Sequence, residues 1–155
     1  MANNFDFTRL RRLIIIYRVV QIFLLVLLAV MAVSFQTVFR AKGMPGIFFN
    51  SILTTLVIQL LLFYFLNKFA AREAEQEIAT CVRDIAIEQV QALRKKRLFG
   101  DYVKAAVFIF FVTFSVLAPG ATFIQSTIFF VFVLTILTYF QCFNFAARKG
   151  MQALQ

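Results

Sequence analysis

Four long apolar runs constrain the fold of this chain more than any other feature. They cover about residues 19–39, 47–67, 102–118 and 123–145, and a bilayer core about 30 Å thick needs about 20 helical residues. The chain is 62% hydrophobic and only 15% charged, a composition too apolar for a soluble domain. We therefore expect an all-α integral membrane protein with four transmembrane helices. The third run is the shortest, so either it stands nearly upright or Lys104 reaches the surface from inside it.

Two short motifs, one at the start and one at the end of an apolar run, each occur twice in the chain. Pro45-Gly46 and Pro119-Gly120 each open an apolar run that closes on Phe-Ala-Ala-Arg, at residues 69–72 and 145–148. Proline fixes φ and glycine tolerates positive φ, so each pair is a turn signal. Both hairpins would start and end on one side, which predicts two tandem parallel hairpins, a pseudo-twofold repeat about the membrane normal.

This pattern divides the chain into five segments. We expect a basic N-terminal segment (1–18), a first transmembrane hairpin (19–69), a central cytoplasmic segment (70–100), a second transmembrane hairpin (101–147) and a short tail (148–155).

The cations predict the orientation. Of the 16 lysines and arginines, only Arg40 and Lys42 lie between the first two runs, and the other 14 fall at the opposite side. By the positive-inside rule, both termini and the central segment are then cytoplasmic. Each run also has one tyrosine at this side, where its ring suits the headgroup layer. We expect a bacterial-type inner (plasma) membrane with anionic headgroups as one partner.

The central segment has the pattern of an amphipathic helix. At 100° per residue, alanine, isoleucine and valine fall on one face, while acids including Glu73 and Glu77 fall on the other. No proline interrupts it, so we expect it to continue from the second span as one long helix. Gly100 would end that helix and Asp101 would cap the third span.

Two short motifs on this helix are candidate contact sites. Ile78, Val82 and Ile85 have coiled-coil spacing and form a candidate assembly stripe, although the stripe could instead pack within its own chain or lie on lipid. Arg94, Lys95, Lys96 and Arg97 form a candidate contact for anionic lipid. No aromatic stacking platform accompanies the basic run, so we expect no nucleic acid.

The residues that usually carry chemistry are few. The chain has no histidine and only two cysteines, which are expected to be reduced thiols because they form no Cys-x-x-Cys motif. All seven acids fall in segments assigned to the cytoplasm, so no carboxylate is expected at mid-bilayer. We expect no metal, no cofactor and no enzymatic activity.

Uncharged polar side chains nevertheless form stripes within two of the spans. Ser51, Thr55 and Gln59 recur every four residues on the second span, and the fourth span carries Thr127, Thr135, Thr138, Gln141 and Cys142 on one face. Such stripes commonly serve as hydrogen-bonding contacts between helices, and alternatively they could line a pore. We therefore expect a structural or accessory subunit that self-associates or joins a larger membrane complex. The alternative is a homo-oligomeric channel lined by spans 2 and 4.

Overall fold

The computed structural model describes residues 5–82, 87–117 and 121–154, and all regular structure in these ranges is helical. The four helices are α1 (Thr8–Ala41), α2 (Pro45–Ala79), α3 (Ile87–Leu117) and α4 (Thr122–Ala153). Each contains a stretch long and apolar enough to span a membrane. The expectation of an all-helical chain with four candidate membrane spans is confirmed.

The first hairpin turns over three residues. Gly43 has a φ of +70°, a conformation that L side chains rarely adopt. Pro45 then begins α2, where its fixed φ is suited to the first helical turn. The second expected turn, at Pro119-Gly120, lies outside the described residues.

Helices α2 and α4 form the central pair of the bundle. Ser51 contacts Ser126 near the start of both helices, and Ile78 lies against Gly150 near the end of both, so the two helices run parallel. Helix α1 runs antiparallel to α4, because the Phe35 ring contacts that of Phe130 while the Tyr17 ring contacts that of Phe140. Within the described residues, the backbones of α1 and α3 do not approach each other. Helices α1 and α3 therefore each pack on the central pair, and not backbone to backbone on each other.

The bundle has two distinct ends. We call the end that carries both chain termini and the α2–α3 connection the termini end, and the end that carries the 42–44 turn the hairpin end. The main core cluster lies at the termini end. Its buried members are Phe7, Leu10, Ile14, Ala70, Ala74, Ile78, Cys81, Tyr139, Cys142, Phe143 and Ala147.

The central segment differs from the single helix that its pattern predicts. Helix α2 ends at Ala79, and α3 begins at Ile87 and runs through Gly100 and Asp101 without a break. Gly100 is therefore neither a helix end nor followed by a capped start. The expectation of one continuous helix was wrong because the wheel pattern is compatible with two helices that each bury part of it.

The N-terminal segment fastens the end of α2. Phe5 forms an isolated antiparallel bridge with Val82, and the Asp6 amide donates to the Cys81 carbonyl at 2.9 Å. Phe7 is buried in the core cluster. These contacts hold the chain in the turn that follows Ala79.

Candidate functional site

Hydroxyl groups join α2 and α4 near the hairpin end. The Ser51 hydroxyl lies 2.8 Å from that of Ser126 and 2.9 Å from that of Thr127. Thr55, one turn further along α2, donates to the Ser51 carbonyl at 2.8 Å. All four side chains are buried. In a membrane such contacts let two helices approach closely while their polar groups stay satisfied.

A glutamine continues this contact toward the middle of the bundle. The Gln59 amide donates to the Thr138 hydroxyl at 2.7 Å and to the Leu134 carbonyl at 3.3 Å. Its carbonyl accepts from the Thr135 hydroxyl at 3.4 Å. Gln141, which the sequence pattern assigned to the same group, is exposed. The polar stripes of α2 and α4 therefore face each other inside one chain, except at Gln141.

A second amide contact, which the sequence analysis did not single out, joins α1 to α4. The Asn144 amide donates to the Gln21 carbonyl at 3.1 Å, and the Gln21 amide donates to the Leu137 carbonyl at 3.5 Å. Each of the two residues has an apolar residue on either side in the sequence. An amide side chain within a span was the available signal, because its cost in lipid favours a partner on another helix.

The most polar site of the bundle centres on Glu73. This residue was expected on the solvated face of the central helix, yet only 9% of it is exposed. Its carboxylate accepts a hydrogen bond from the Tyr139 hydroxyl and pairs with the Lys104 ammonium at 3.0 Å. One side chain of α2 thus bridges to α4 and to α3 at once.

Two further ion pairs complete what we call the Glu73 cluster. Asp101 pairs with Lys104 at 2.9 Å, and Glu77 pairs with Arg97 at 3.3 Å. The ammonium of Lys104 also lies over the Tyr139 ring, 5.9 Å from its centroid. Burying a carboxylate is costly unless it is paired and hydrogen-bonded, and this cluster supplies both kinds of partner to Glu73. The cluster comprises Glu73, Glu77, Arg97, Asp101, Lys104 and Tyr139.

Gly100 lets α3 come close enough to complete the cluster. A Cβ atom at this position would overlap the Glu73 carboxylate. That carboxylate cannot simply move aside, because Tyr139 and Lys104 hold it. The glycine that the sequence analysis interpreted as a helix stop is therefore a contact residue within a helix.

A cavity of about 70 Å³ lies beside the cluster at the termini end. All four helices contribute to its wall, including Tyr17 from α1 and Gln76 from α2, and Thr80 just beyond α2 also lines it. Its volume is sufficient for about two water molecules. The described residues contain no group of three or more cysteines, aspartates or glutamates that could hold a metal ion.

The three residues of the candidate assembly stripe do not lie together on one helix face. Ile78 is buried within the chain, where Gly150 leaves room for its side chain. Val82 lies beyond the end of α2 and bridges to Phe5, and Ile85 lies outside the described residues. A continuous coiled-coil stripe across Ile78 and Val82 does not form, because the helix ends between them.

The four cations of the basic run do not share one environment. Arg94, Lys95 and Lys96 are exposed, whereas Arg97, whose side chain is 44% exposed, turns toward α2 and pairs with Glu77. The helical rotation of 100° per residue directs neighbouring cations to different sides. The run is thus one bundle contact and three exposed charges.

Both cysteines are free and buried. Cys81 lies outside the spans, and burial raises the pKa of its thiol above the ordinary value. The nearby carboxylate of Glu77 raises that pKa further. The thiol is therefore neutral at physiological pH, which makes it a weak nucleophile.

The polar groups of this bundle chiefly hold helices together. Hydroxyls and amides join α2 to α4 and α1 to α4, while charged groups join α3 to the central pair.

Comparison of the chain with protein-family models, with curated proteins and with solved structures found no match.

Proposed function

We propose that this protein is a non-enzymatic integral membrane subunit that assembles with copies of itself or with other membrane subunits. The observation that carries the proposal is the incomplete packing of α3. Its ring contacts with α4 are those of Phe108 and Phe111 with Phe132, and beyond them residues 112–117 are all exposed. We call residues 109–117, of which only Phe111 is partly buried against α4, the free section of α3.

Exposure to lipid alone does not require a protein partner, because lipid tails are as apolar as leucine. The argument rests instead on the contrast within the bundle. Transmembrane helices associate through close packing. Helices α2 and α4 contact each other near both of their ends, and rings of α1 contact α4 toward both ends of α1. The free section of α3 carries Phe110 and Phe114, whose rings lie 5.4 Å apart, and it offers these rings to a neighbouring helix.

A channel lined by spans 2 and 4 is less well supported. The polar stripes that would line it are engaged with each other, through the contacts of Ser51 and Gln59. Such a pore would require α2 and α4 to separate and these hydrogen bonds to break. We therefore favour assembly over conduction.

Size measurement in lipid nanodiscs tests the assembly proposal. Phe110→Ala combined with Phe114→Ala should reduce the native complex to a smaller species or release a copurifying subunit. The matched control, Phe63→Ala with Phe65→Ala, removes two exposed phenylalanines of α2 and should leave the complex intact. A complex unchanged by the α3 pair, or lost equally with both pairs, would contradict a role for this section.

We further propose an inner-membrane location with both termini in the cytoplasm, supported by the uneven distribution of cations. In a variant without native cysteines, Glu88→Cys should be shielded from an impermeant thiol reagent in intact cells, and Ala41→Cys should react. Both positions are exposed on the protein, so protection reports the membrane. Labelling of the cysteine at 88 from outside would reverse the proposed orientation.

The tandem repeat is also a proposal, supported by the direct contact of Ser51 with Ser126, two residues that the Pro-Gly alignment brings close together. Residues near a twofold axis are expected to meet their own equivalents. Superposition of residues 17–72 on residues 102–148 in an experimental structure tests it. A rotation axis along the membrane normal is expected, and an axis in the membrane plane would reject it.

A further inference from the structure

The first part of α3 has its charged and apolar sides reversed relative to a water-exposed helix. Arg97 and Lys104 face the bundle and pair with carboxylates. On the opposite side Leu98, Phe99 and Tyr102 are exposed to 52%, 69% and 72%. A helix in water would place these apolar side chains inward. The reversal indicates that lipid, and not water, covers this side.

The length of α3 also indicates that its lipid-covered part begins near Leu98. The apolar stretch that follows Lys104 is too short to cross a bilayer core. Starting at Leu98 instead, residues 98–117 extend for about 30 Å at 1.5 Å per residue, which matches the hydrocarbon thickness. The Lys104 charge inside this stretch is compensated by Glu73 and Asp101.

The three exposed cations then lie at headgroup level. Arg94, Lys95 and Lys96 precede Leu98 by about one helical turn. Within the described residues none of the three takes part in an ion pair. At 100° per residue Lys95 shares its side with Phe99 and Tyr102, and Arg94 and Lys96 flank that side. Positive charge therefore sits directly above an aromatic, lipid-facing surface.

We propose that this surface binds an anionic phospholipid, with Lys95 at the phosphate, Arg94 and Lys96 adding positive charge on either side, and the chains lying along Leu98, Phe99 and Tyr102. We call these six residues the α3 lipid face. The arrangement reproduces the order of groups in a phospholipid, charge first and hydrocarbon below. A nucleic acid would need its bases beside the rings, which lie at the depth of the hydrocarbon. The proposal is separate from assembly through the free section of α3.

Lipid selectivity of the full-length protein tests this site. The purified chain is placed in phosphatidylcholine vesicles, and the association of spin-labelled phosphatidylglycerol is measured relative to spin-labelled phosphatidylcholine. The variant R94Q/K95Q/K96Q should lose up to about tenfold of its preference for phosphatidylglycerol, since each juxtamembrane cation contributes measurably to binding. The control R11Q/R12Q/K149Q removes the same charge from exposed positions at the same end and should retain most of the preference.

A second pair of variants tests the aromatic part. Phe99→Ala with Tyr102→Ala keeps every charge and should still reduce the preference at least twofold. Phe63→Ala with Tyr64→Ala removes two exposed rings from α2 and should not. Equal losses in the two charge variants would reduce the effect to net charge and overturn the site. Unchanged selectivity together with loss of a copurifying protein would show that a protein subunit occupies this face, which would also overturn it.

Discussion

Helices α1 and α3 flank the same α2–α4 pair, but they attach to it by different means. Helix α1 packs through rings, with Tyr17 at 4.5 Å from Phe140 and 5.1 Å from Phe143 between centroids, and through the Gln21–Asn144 amides. Helix α3 attaches through the Glu73 cluster at the termini end and through Phe132 near its middle.

This difference indicates how sensitive each attachment is to a single substitution. An attachment spread over many apolar contacts loses little when one residue changes, whereas an attachment concentrated on one buried carboxylate depends on that group. Helix α3 is therefore the element most easily released by a single substitution. Hydrogen exchange, followed separately in α1 and α3, can compare the two attachments directly.

The largest effect is expected for Glu73→Ala. It leaves Lys104 and the Tyr139 hydroxyl without their shared partner, and an unsatisfied buried group costs about 1–3 kcal/mol. Exchange in residues 97–104 should rise about tenfold or more, while exchange in α1 stays unchanged. Glu75→Ala, at an exposed position on the same helix, is the control. An equal rise in exchange in α1 and α3 would show that the two helices do not differ in how they depend on Glu73.

A smaller effect of the same kind is expected for Gly100→Ala. The added methyl group overlaps the Glu73 carboxylate and should loosen the start of α3 by about 1 kcal/mol. Gly46→Ala is the matched control, because nothing lies within 4 Å of the added atom there. Thermal stability in detergent measures both. A stabilised Gly100→Ala protein would mean that α3 adjusts without loss of the ion pair.

For α1 we expect a smaller loss from Gln21→Leu combined with Asn144→Leu, because replacing both residues leaves no unpaired buried amide. The two changes remove two hydrogen bonds between α1 and α4, and polar contacts between spans contribute about 0.6 kcal/mol each on average. The ring contacts of Tyr17 should keep α1 in place. Exchange measurements on residues 14–28 provide the check. A loss as large as that of Glu73→Ala would show that α1 also depends on one polar site.

Arg97→Gln should have a smaller effect still. Its side chain is partly exposed, and exposed ion pairs contribute about 0–1 kcal/mol. Adding salt should weaken this pair more than the Glu73–Lys104 pair, because exposed charges are screened more strongly. Melting temperatures of the parent and Arg97→Gln proteins at low and high salt test this order. If Arg97→Gln lowered the melting temperature more than Glu73→Ala does, the main attachment of α3 would be the Arg97–Glu77 pair and not Glu73.

The smallest change concerns labelling and not stability. Since burial and Glu77 raise the pKa of the Cys81 thiol, its thiolate fraction at pH 8 is below that of a free thiol. Maleimide labelling of Cys81 in a Cys142→Ser variant should therefore be slow. Its rate should rise with pH, and the rise should occur at a higher pH than the rise for free cysteine. Phe7→Ala, which opens the core beside Cys81, should accelerate the labelling. Labelling at the rate of free cysteine would contradict the burial.

Sequence reasoning could predict the elements of this fold better than their contacts. The long apolar runs predicted four candidate spans, and Pro45 does follow a turn, but the glycine with positive φ is Gly43 and not Gly46, which lies within α2. The polar pattern also singled out Ser51 and Gln59, which hydrogen-bond to α4, and Thr55, which donates to the Ser51 carbonyl. It could not assign Gln141 to the exposed side, because a stripe on a helix does not identify the neighbour that covers it.

Glu73 shows most clearly what only the tertiary structure decided. By itself the sequence determined length, hydropathy and periodicity, and these depend on local order along the chain. A helical wheel separates a polar side from an apolar side, but it assumes water outside. Near lipid the apolar side turns outward, so Glu73, Arg97 and Lys104 turn inward and pair with groups from other helices. Those partners lie far away in the sequence, and only the packing of four helices brings them together.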